Sequence, residues 1–214
     1  MECLDMAKQD YYTVVLLTYT TNAGIEARAY DQWLREVDNP FFNRIPGIAH
    51  YSNWKIVDHD GGPIPFTHFD LLGLTDWDSV ESVWFNTELD AFRDGWVEKW
   101  GYGPGGMPAP VNCHGYLARR QGTGKLLFRD NVLVAAGPSA VDDNTWRIEE
   151  ALRKHWAVGR APAKEPWRRP LENDGSLGFD AFRLEFSSDL PDVKYRAVES
   201  RLRWVGRCIA APEF

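Results

Sequence analysis

A histidine and an aspartate two positions apart, His68 and Asp70, lie in the apolar stretch PFTHFDLLGLT. Such a stretch predicts a β-strand, and residues two apart in a strand point to the same side of the sheet. A carboxylate beside an imidazole orients the ring and keeps it basic, which suits a general base near neutral pH. We therefore predict that His68 transfers a proton and that Asp70 orients it.

The same alternation places Phe66 on the face that carries His68 and Asp70. If this is the uncovered face of the sheet, both polar groups enter an apolar interior, where desolvation raises the pKa of the carboxyl. Phe66 would then line the substrate pocket. The alternative is a structural hydrogen bond at a helix–sheet boundary or at an exposed edge.

Further polar and aromatic groups fall on two other predicted strands. His50 follows a Pro-Gly turn, and alternation gives it the same face as Trp54, so the pair predicts a pocket with a polar tip. Tyr12 and Tyr19, on the first predicted strand, offer phenol donors for a substrate oxygen. We predict that His50 or one of these tyrosines polarises that oxygen. A surface histidine and tyrosines used only for packing are the alternatives.

The segment between the first two strands predicts a helix with one apolar face, because apolar residues recur there at helical spacing. These residues are Tyr30, Trp33, Leu34, Val37 and Phe41. Pro40 interrupts the pattern and is expected to kink or end the helix.

The order of predicted elements defines the expected fold. Residues 11–119 follow β-α-β-β-α-β, the ferredoxin-like order, in which two helices cover one face of a four-stranded antiparallel sheet. Residues 120–214 repeat this order more weakly, with a helix expected over 142–156. Because a bare sheet face must pack on something, we predict an α+β protein of two ferredoxin-like halves, 1–119 and 120–214. Their antiparallel sheets would pack as an α+β barrel, closed within one chain or by a dimer.

Two stretches, YDQWLREVDNPFFNRIPGIAHYSNW and THFDLLGLTDWDSVESVW, resemble the EthD-like branch of the dimeric α+β barrel proteins. In that family a helix bearing a Tyr/Trp pair runs into a Pro-Gly turn and an aromatic strand. A strand with Phe/Tyr-Asp then leads to a helix opened by Asp/Ser. The resemblance covers roughly residues 11–100 and implies paired sheets and cofactor-free chemistry. Relatives include monooxygenases, isomerases and lyases.

The resemblance also bears on Asp38. Members of this branch often carry His-x-Pro in the first helix, where this chain has Asp38, Asn39 and Pro40. If that histidine is catalytic in relatives, its role is either lost here or taken over by Asp38. The strand aspartate of the family corresponds to Asp70.

Composition limits the function classes. A net charge of -7 argues against non-specific nucleic-acid binding and against anionic membrane surfaces. We find no apolar run near 18 residues and no signal-peptide core at the N-terminus, so we expect a cytoplasmic protein. The three cysteines are far apart and form no CxxC pair, which predicts free thiols and neither a disulfide frame nor a zinc site.

Aromatic residues make up 14% of the chain and include ten tryptophans. This excess indicates either a large core with an oligomer interface or an aromatic-walled pocket.

We predict a cofactor-independent enzyme, without a metal, that performs isomerase or lyase chemistry on a small apolar or aromatic metabolite. A homodimer is expected. The alternatives are a cofactor-free monooxygenase of aromatic or polyketide catabolism, and a non-catalytic small-molecule binding protein accessory to an oxygenase system.

Overall fold

Eight antiparallel strands close into a barrel within one chain. The computed structural model describes residues 13–19, 27–60, 64, 66–84, 86–96, 114–122, 128–137, 145–148, 179–193 and 202–212. The strands are β1 (Thr13–Tyr19), β2 (Ile48–Asp60), β3 (His68–Leu74), β4 (His114–Arg120), β5 (Asn131–Gly137), β6 (Thr145–Ile148), β7 (Ala181–Ser187) and β8 (Leu202–Ala210). Around the barrel their order is β1-β3-β2-β8-β5-β7-β6-β4, and β4 pairs with β1 to close it.

The described helices are short. Between β1 and β2 lie α1 (Ala27–Trp33), a π turn (Leu34–Asp38) and α2 (Asn39–Asn43); between β3 and β4 lie α3 (Ser79–Trp84) and α4 (Thr87–Trp96). In the described ranges, no helix combines the length and the apolar character needed to cross a bilayer.

The predicted α+β class with two ferredoxin-like halves is wrong. The described chain is mostly strand and forms a closed eight-stranded antiparallel barrel. The helix expected over 142–156 is also wrong where it is described, because Thr145–Ile148 form β6. This strand bridges β4 and β7, so its hydrogen bonds are needed for closure.

The second four strands follow the order β8-β5-β7-β6, which repeats the order β4-β1-β3-β2 of the first four. The two runs join edge to edge, through β2 with β8 and through β4 with β6. The predicted boundary between residues 119 and 120 falls within β4, and the division into two units stays a prediction.

The barrel interior is packed with large aromatic side chains. Trp54, Trp146 and Trp204 are among its largest fully buried residues. Phe69 stacks on Trp54 at 6.0 Å between ring centroids and meets Trp204 edge-on at 6.1 Å. Side chains just fill an eight-stranded barrel of this kind. These three tryptophans are therefore packing groups of the barrel core.

Gly206 of β8 lets the ring of Phe69 lie against the barrel wall. A Cβ at position 206 would stand 2.6 Å from Phe69 Cε1 and 3.3 Å from Trp54 Cβ. The ring is fully buried between aromatic neighbours, so it has no room to withdraw. We expect Gly206→Ala to lower the free energy of unfolding by about 1–3 kcal/mol, measured by urea denaturation.

A second substitution controls for the cause of that loss. In the Gly206→Ala background, Phe69→Leu should cost less than it does in the wild type, because the smaller side chain relieves the clash. Additive losses from the two substitutions would contradict this explanation.

A π turn carries the helical segment through Pro40. The N–H of Asn39 donates to the carbonyl of Leu34, five residues back. Proline has no N–H and crowds the carbonyl four residues before it, and a widened turn accommodates both defects. Consecutive residues Asp38 and Asn39 are consequently both buried against the sheet. The helical segment therefore does not end at Pro40 but continues into α2. Val37, predicted on the apolar face, is 42% exposed, so that part of the prediction is wrong.

The Pro-Gly turn connects α2 to β2. Gly47 has a φ of 92°, a conformation that side chains with a Cβ rarely adopt. A Cβ there would also stand 2.7 Å from Val83 Cγ2 on α3. The glycine thus lets the chain reverse tightly under α3 and start β2 in register with β3.

Candidate functional site

His68 and Asp70 share one face of β3, and this face is the outer wall of the barrel. The residues that alternate with them, Phe69 and Leu71, belong to the interior core. Asp70 instead meets Asp38 of the helical segment, so the two polar residues lie beneath helices. The interpretation that they project into the barrel interior is wrong, and the helix–sheet boundary is their position.

Three neighbouring strands present matching rows of side chains on this outer wall. β3 runs between β1 and β2, and partners in each row are set by the strand register. The rows, each in the order β1, β3, β2, are Tyr19, His68, Lys55; then Leu17, Asp70, Asn53; then Val15, Leu72, Tyr51.

Asp38 from the π turn meets Asp70 from β3 through the hydroxyl of Tyr51. The phenol oxygen lies 2.9 Å from Asp38 Oδ2 and 2.8 Å from Asp70 Oδ2. A phenol has one proton and can donate it to only one of these oxygens. The other short contact requires a proton on a carboxyl, donated to the phenol oxygen. The geometry therefore defines a carboxyl pair that carries one proton of its own.

Asn53 and Tyr19 complete the hydrogen bonds of the pair. Asn53 Nδ2 donates to Asp38 Oδ2 at 2.8 Å and to Asp70 Oδ1 at 3.0 Å, and Tyr19 donates to Asp70 Oδ1 at 3.2 Å. Both oxygens of Asp70 are thus engaged. Asp38 Oδ1 makes no hydrogen bond to the described residues, and Asp38 retains 4% exposure. It is the one carboxyl oxygen of the pair without a hydrogen-bond partner among the described residues.

Burial raises the proton affinity of both carboxyls. It raises the pKa of Asp38 to about 7, while hydrogen bonds from Asn53 and Tyr51 act to lower it. Burial, followed by the charge of Asp38, raises the pKa of Asp70 well above its ordinary value. Of the two carboxyls, Asp70 has the higher proton affinity because the charge of Asp38 adds to burial, which favours the arrangement in which Asp70 donates to Tyr51 and Tyr51 donates to Asp38. Two carboxyls whose pKa values differ in this way can serve as acid and base.

His68 lies at one end of this network. Its Nδ1 is 2.9 Å from Thr67 Oγ1, and its ring stacks on Tyr19 at 5.6 Å and meets Tyr30 edge-on at 5.5 Å. Its Nε2 is buried and has no hydrogen-bond partner in the described ranges. Asp70 bonds to the tyrosines and to Asn53, and no hydrogen bond between Asp70 and His68 is formed. The role of Asp70 as the orienter of His68 therefore lacks its contact.

We expect the imidazole of His68 to stay neutral down to about pH 4. Burial, and then the charge of Lys55, lowers the pKa of His68 to about 4, against the opposing charge of Asp31. The unfolded chain takes up this proton first, so the contribution of His68 to stability is lost as the pH falls from about 6.5 to about 4. A ¹⁵N NMR titration of the native imidazole measures this, with the urea-unfolded chain as control. A native midpoint near that of the unfolded chain would contradict it.

His50 and Trp54 lie on the other side of the barrel wall. The His50 ring stacks on Phe128 at 3.8 Å between centroids, and burial lowers its pKa to about 3. Trp54 Nε1 donates to Ser52 Oγ at 2.8 Å inside the barrel. They share a face with one another, as the alternation predicts, but the barrel wall separates them from Asp70 and His68.

The remaining predicted residues that the structure describes lie either in the barrel core or on its outer wall. Phe66 packs edge-on against Trp204 at 5.3 Å in the barrel core, so the prediction that it shares a face with His68 is wrong. It precedes β3, where strand alternation does not apply. Tyr19 and Asp38 belong to the outer-wall network, and Tyr12 lies outside the described residues.

Tyr51 and Asn53 are the site residues that sequence analysis missed. They lie on the face of β2 opposite His50. The prediction used the face that carries His50, and the site lies on the other face. The signal was present, because Tyr51, Asn53 and Lys55 form a polar series at period two beside apolar strands. Buried polar groups of this kind need partners and mark a site.

Together, the fold and the site define a closed antiparallel barrel with a buried, proton-sharing carboxyl pair on its outer wall. Comparisons with protein-family models, with curated proteins and with solved structures find no match to this chain. The EthD-like resemblance therefore stays a prediction that depends on its short motifs, and the chemistry of the site is argued from its geometry.

Proposed function

We propose that this chain is a cofactor-independent cytoplasmic enzyme that moves a proton on a small apolar or aromatic metabolite, in an isomerase or lyase reaction. The observation that carries this proposal is the shared hydroxyl of Tyr51, which contacts both Asp38 and Asp70. It gives one buried site a carboxylate and a carboxylic acid at the same pH. General acid–base catalysis requires this combination.

Asp38 is the proposed base. Its Oδ1 would take a proton from a carbon next to a substrate carbonyl, and the negative charge would pass from the carboxylate to the substrate oxygen. Return of the proton to another carbon completes an isomerisation. In a lyase the enolate instead forms a C=C bond and expels the group on the neighbouring carbon with its electron pair, and the proton on Asp38 passes to that group or to solvent. Asp70 stays protonated and stabilises the Asp38 carboxylate through Tyr51 before each turnover.

His68 is the proposed group that polarises the substrate oxygen. When the Thr67 hydroxyl donates to Nδ1, the proton of the neutral ring lies on Nε2 and can be donated to a substrate. His50, predicted for this role, points into the barrel. The aromatic rings of Tyr19 and Tyr30 beside His68 favour a flat, apolar substrate.

A neutral substrate suits the pair better than an anion does. The pair already carries one negative charge in a buried position, and a second charge nearby is strongly unfavourable at low dielectric. Small neutral ketones and lactones with an acidic C–H group are therefore the proposed substrate class.

Deuterium exchange tests the proposal. The protein would be incubated in D₂O, without oxygen, with a panel of neutral aromatic and alicyclic ketones and lactones, and loss of C–H signals followed by ¹H NMR. We expect exchange with the wild type and none with Asp38→Asn. In a parallel incubation with air, oxygen consumption by a protein that shows no exchange would indicate the monooxygenase alternative. A ligand-induced change in tryptophan fluorescence with neither reaction would indicate a binding protein.

The homodimer also stays a proposal. The barrel closes within one chain, so its closure requires no second copy. Sedimentation equilibrium measures the oligomeric state directly, and a single species of monomer mass would reject the homodimer.

A further inference from the structure

Three asparagine amides form a hydrogen-bonded chain that ends on the carboxyl pair. The N–H of Tyr51 donates to Asn43 Oδ1 at 2.8 Å. Asn43 Nδ2 then donates to Asn39 Oδ1 at 3.0 Å, and Asn39 Nδ2 donates to Asn53 Oδ1 at 3.1 Å. Asn43 and Asn39 lie one turn apart on α2, so their side chains are on the same face of the helix.

The direction of this chain is forced at its first bond. A backbone N–H can only donate, so Asn43 must turn its oxygen toward Tyr51 and its nitrogen toward Asn39. The contact from Asn43 and the main-chain oxygen of Tyr51, which can only accept, both orient the Asn39 amide the same way, and Asn39 then orients Asn53. The oxygen and nitrogen of an amide are normally assigned from the surrounding network, and here an obligate donor fixes that network. The other N–H contacts of Asn43 and Asn39 go to the main-chain oxygens of Tyr51 and Asn39.

The chain ends with the amide nitrogen of Asn53 directed at both carboxyls. Its two hydrogens reach Asp38 Oδ2 and Asp70 Oδ1. Donors of this kind favour the ionised form of a carboxyl and oppose the effect of burial. A reversed amide would present an oxygen to the pair and favour full protonation.

We propose that Asn43 is a positioning residue that, through Asn39, aims the donors of Asn53 at the carboxyl pair and so keeps one of the two carboxyls ionised. Asn43 touches neither carboxyl. The catalytic meaning of this inference rests on the proposed function, because only an ionised Asp38 can act as a base.

The other side chains that face the pair do not contact Asn43, which hydrogen bonds to the main chain of Tyr51 and not to its phenol. Tyr19 of β1 donates to Asp70, and Tyr30 of α1 hydrogen bonds to Tyr19. Tyr51 of β2 bridges the carboxyls. The ion pair of Lys55 and Asp31, 3.7 Å long, lies at the His68 end of the wall. Substitution of Asn43 leaves all of these side chains in place.

The test is a ¹³C NMR titration of the aspartate carboxyls in labelled protein, which requires no substrate. In Asn43→Ala we expect the ionisation midpoint of the pair to rise by about one pH unit, because the orienting bond is lost. The pH at which deuterium exchange reaches half its maximal rate should rise by the same amount. Gln32→Ala is the matched control: Gln32 lies on the same helical segment and its side chain bonds only to exposed Glu36, at 2.9 Å. Its midpoint should equal that of the wild type.

Asn43→Asp provides a second variant of nearly native shape. It keeps an acceptor for the N–H of Tyr51 but has no N–H for Asn39, so its midpoint should also rise. An unchanged midpoint in either folded variant would overturn the positioning role. A raised midpoint in a protein without exchange activity would reject the proposed function while leaving the amide chain intact, so the two failures are distinguishable.

Discussion

An Asp70→Asn variant should lose proton-exchange activity by about tenfold and still fold. Asparagine resembles the protonated acid: its oxygen can accept from Asn53 and Tyr19, and its nitrogen can donate to Tyr51. An amide N–H is a weaker donor than a carboxylic acid, so Tyr51 stabilises the Asp38 carboxylate less and a smaller fraction of Asp38 is ionised near neutral pH. Activity is measured by the deuterium exchange assay.

The stability of the same variant should change with pH in a defined direction. The pKa of Asp70 is raised in the folded wild type, so the native state binds a proton that the unfolded chain has released. Wild-type stability from this group is therefore fully present below the unfolded pKa of about 4 and declines as the pH rises above it. Asparagine does not titrate, so Asp70→Asn should gain stability relative to the wild type as the pH rises above about 4.

Urea unfolding at several pH values measures this difference. Asp70→Leu is the control, because it removes the acceptors of Asn53 and Tyr19 and should destabilise the protein at every pH. A wild type that gained stability over Asp70→Asn with rising pH would show that Asp70 is ionised in the native protein. That result would remove the basis of the proton-sharing pair.

Tyr51→Phe should be the most destabilising of the conservative substitutions at the site, with a loss of about 3 kcal/mol at neutral pH. It deletes the single oxygen that contacts both carboxyls, so Asp70 Oδ2 loses its partner and Asp38 Oδ2 keeps only the bond from Asn53 among the described residues. Burial of the phenol within the described core prevents water from replacing it without rearrangement. Exchange activity should fall together with stability.

The loss in Tyr51→Phe should also grow as the pH rises through 7. The hydroxyl of Tyr51 lowers the pKa of Asp38, so its removal raises that pKa further above the ordinary value. The variant then retains a proton that the wild type releases, and its stability declines more steeply with pH. Tyr19→Phe is the matched control, since it deletes a hydroxyl that contacts the pair at only one oxygen, at 3.2 Å. Equal losses in the two variants would contradict the bridging role of Tyr51.

Strand periodicity predicts which residues share a face within one strand, because this depends on local geometry alone. It placed His68 with Asp70, and His50 with Trp54, because alternation follows from the covalent geometry of an extended chain. It did not extend to Phe66, which lies before β3 begins. In 145–148 the residues TWRI contain β-branched and aromatic side chains that favour a strand. The helical spacing of Ile148 with later residues favours a helix over 142–156, and this signal conflicts with the strand that forms.

The encounter of Asp38 with Asp70 was not predictable from either segment alone. It depends on the π turn before Pro40, which turns two consecutive residues toward the sheet. A proline in a helical pattern predicts an interruption. Only the packing of the segment on the sheet decides that a wider turn, and not an end, is the result.

The sequence by itself determined the position and direction of most strands and which residues share a face of each. It did not determine which face is inside. That choice belongs to barrel closure, which joins β1 to β4 and β2 to β8 over long separations and turns Phe69 inward and Asp70 outward. The physical reason is that alternation is a property of a few adjacent residues, whereas burial is a property of the whole barrel. A buried pair of carboxyls, Asp38 with Asp70, therefore lies on the outer wall, where the sequence alone had paired Asp70 with His68.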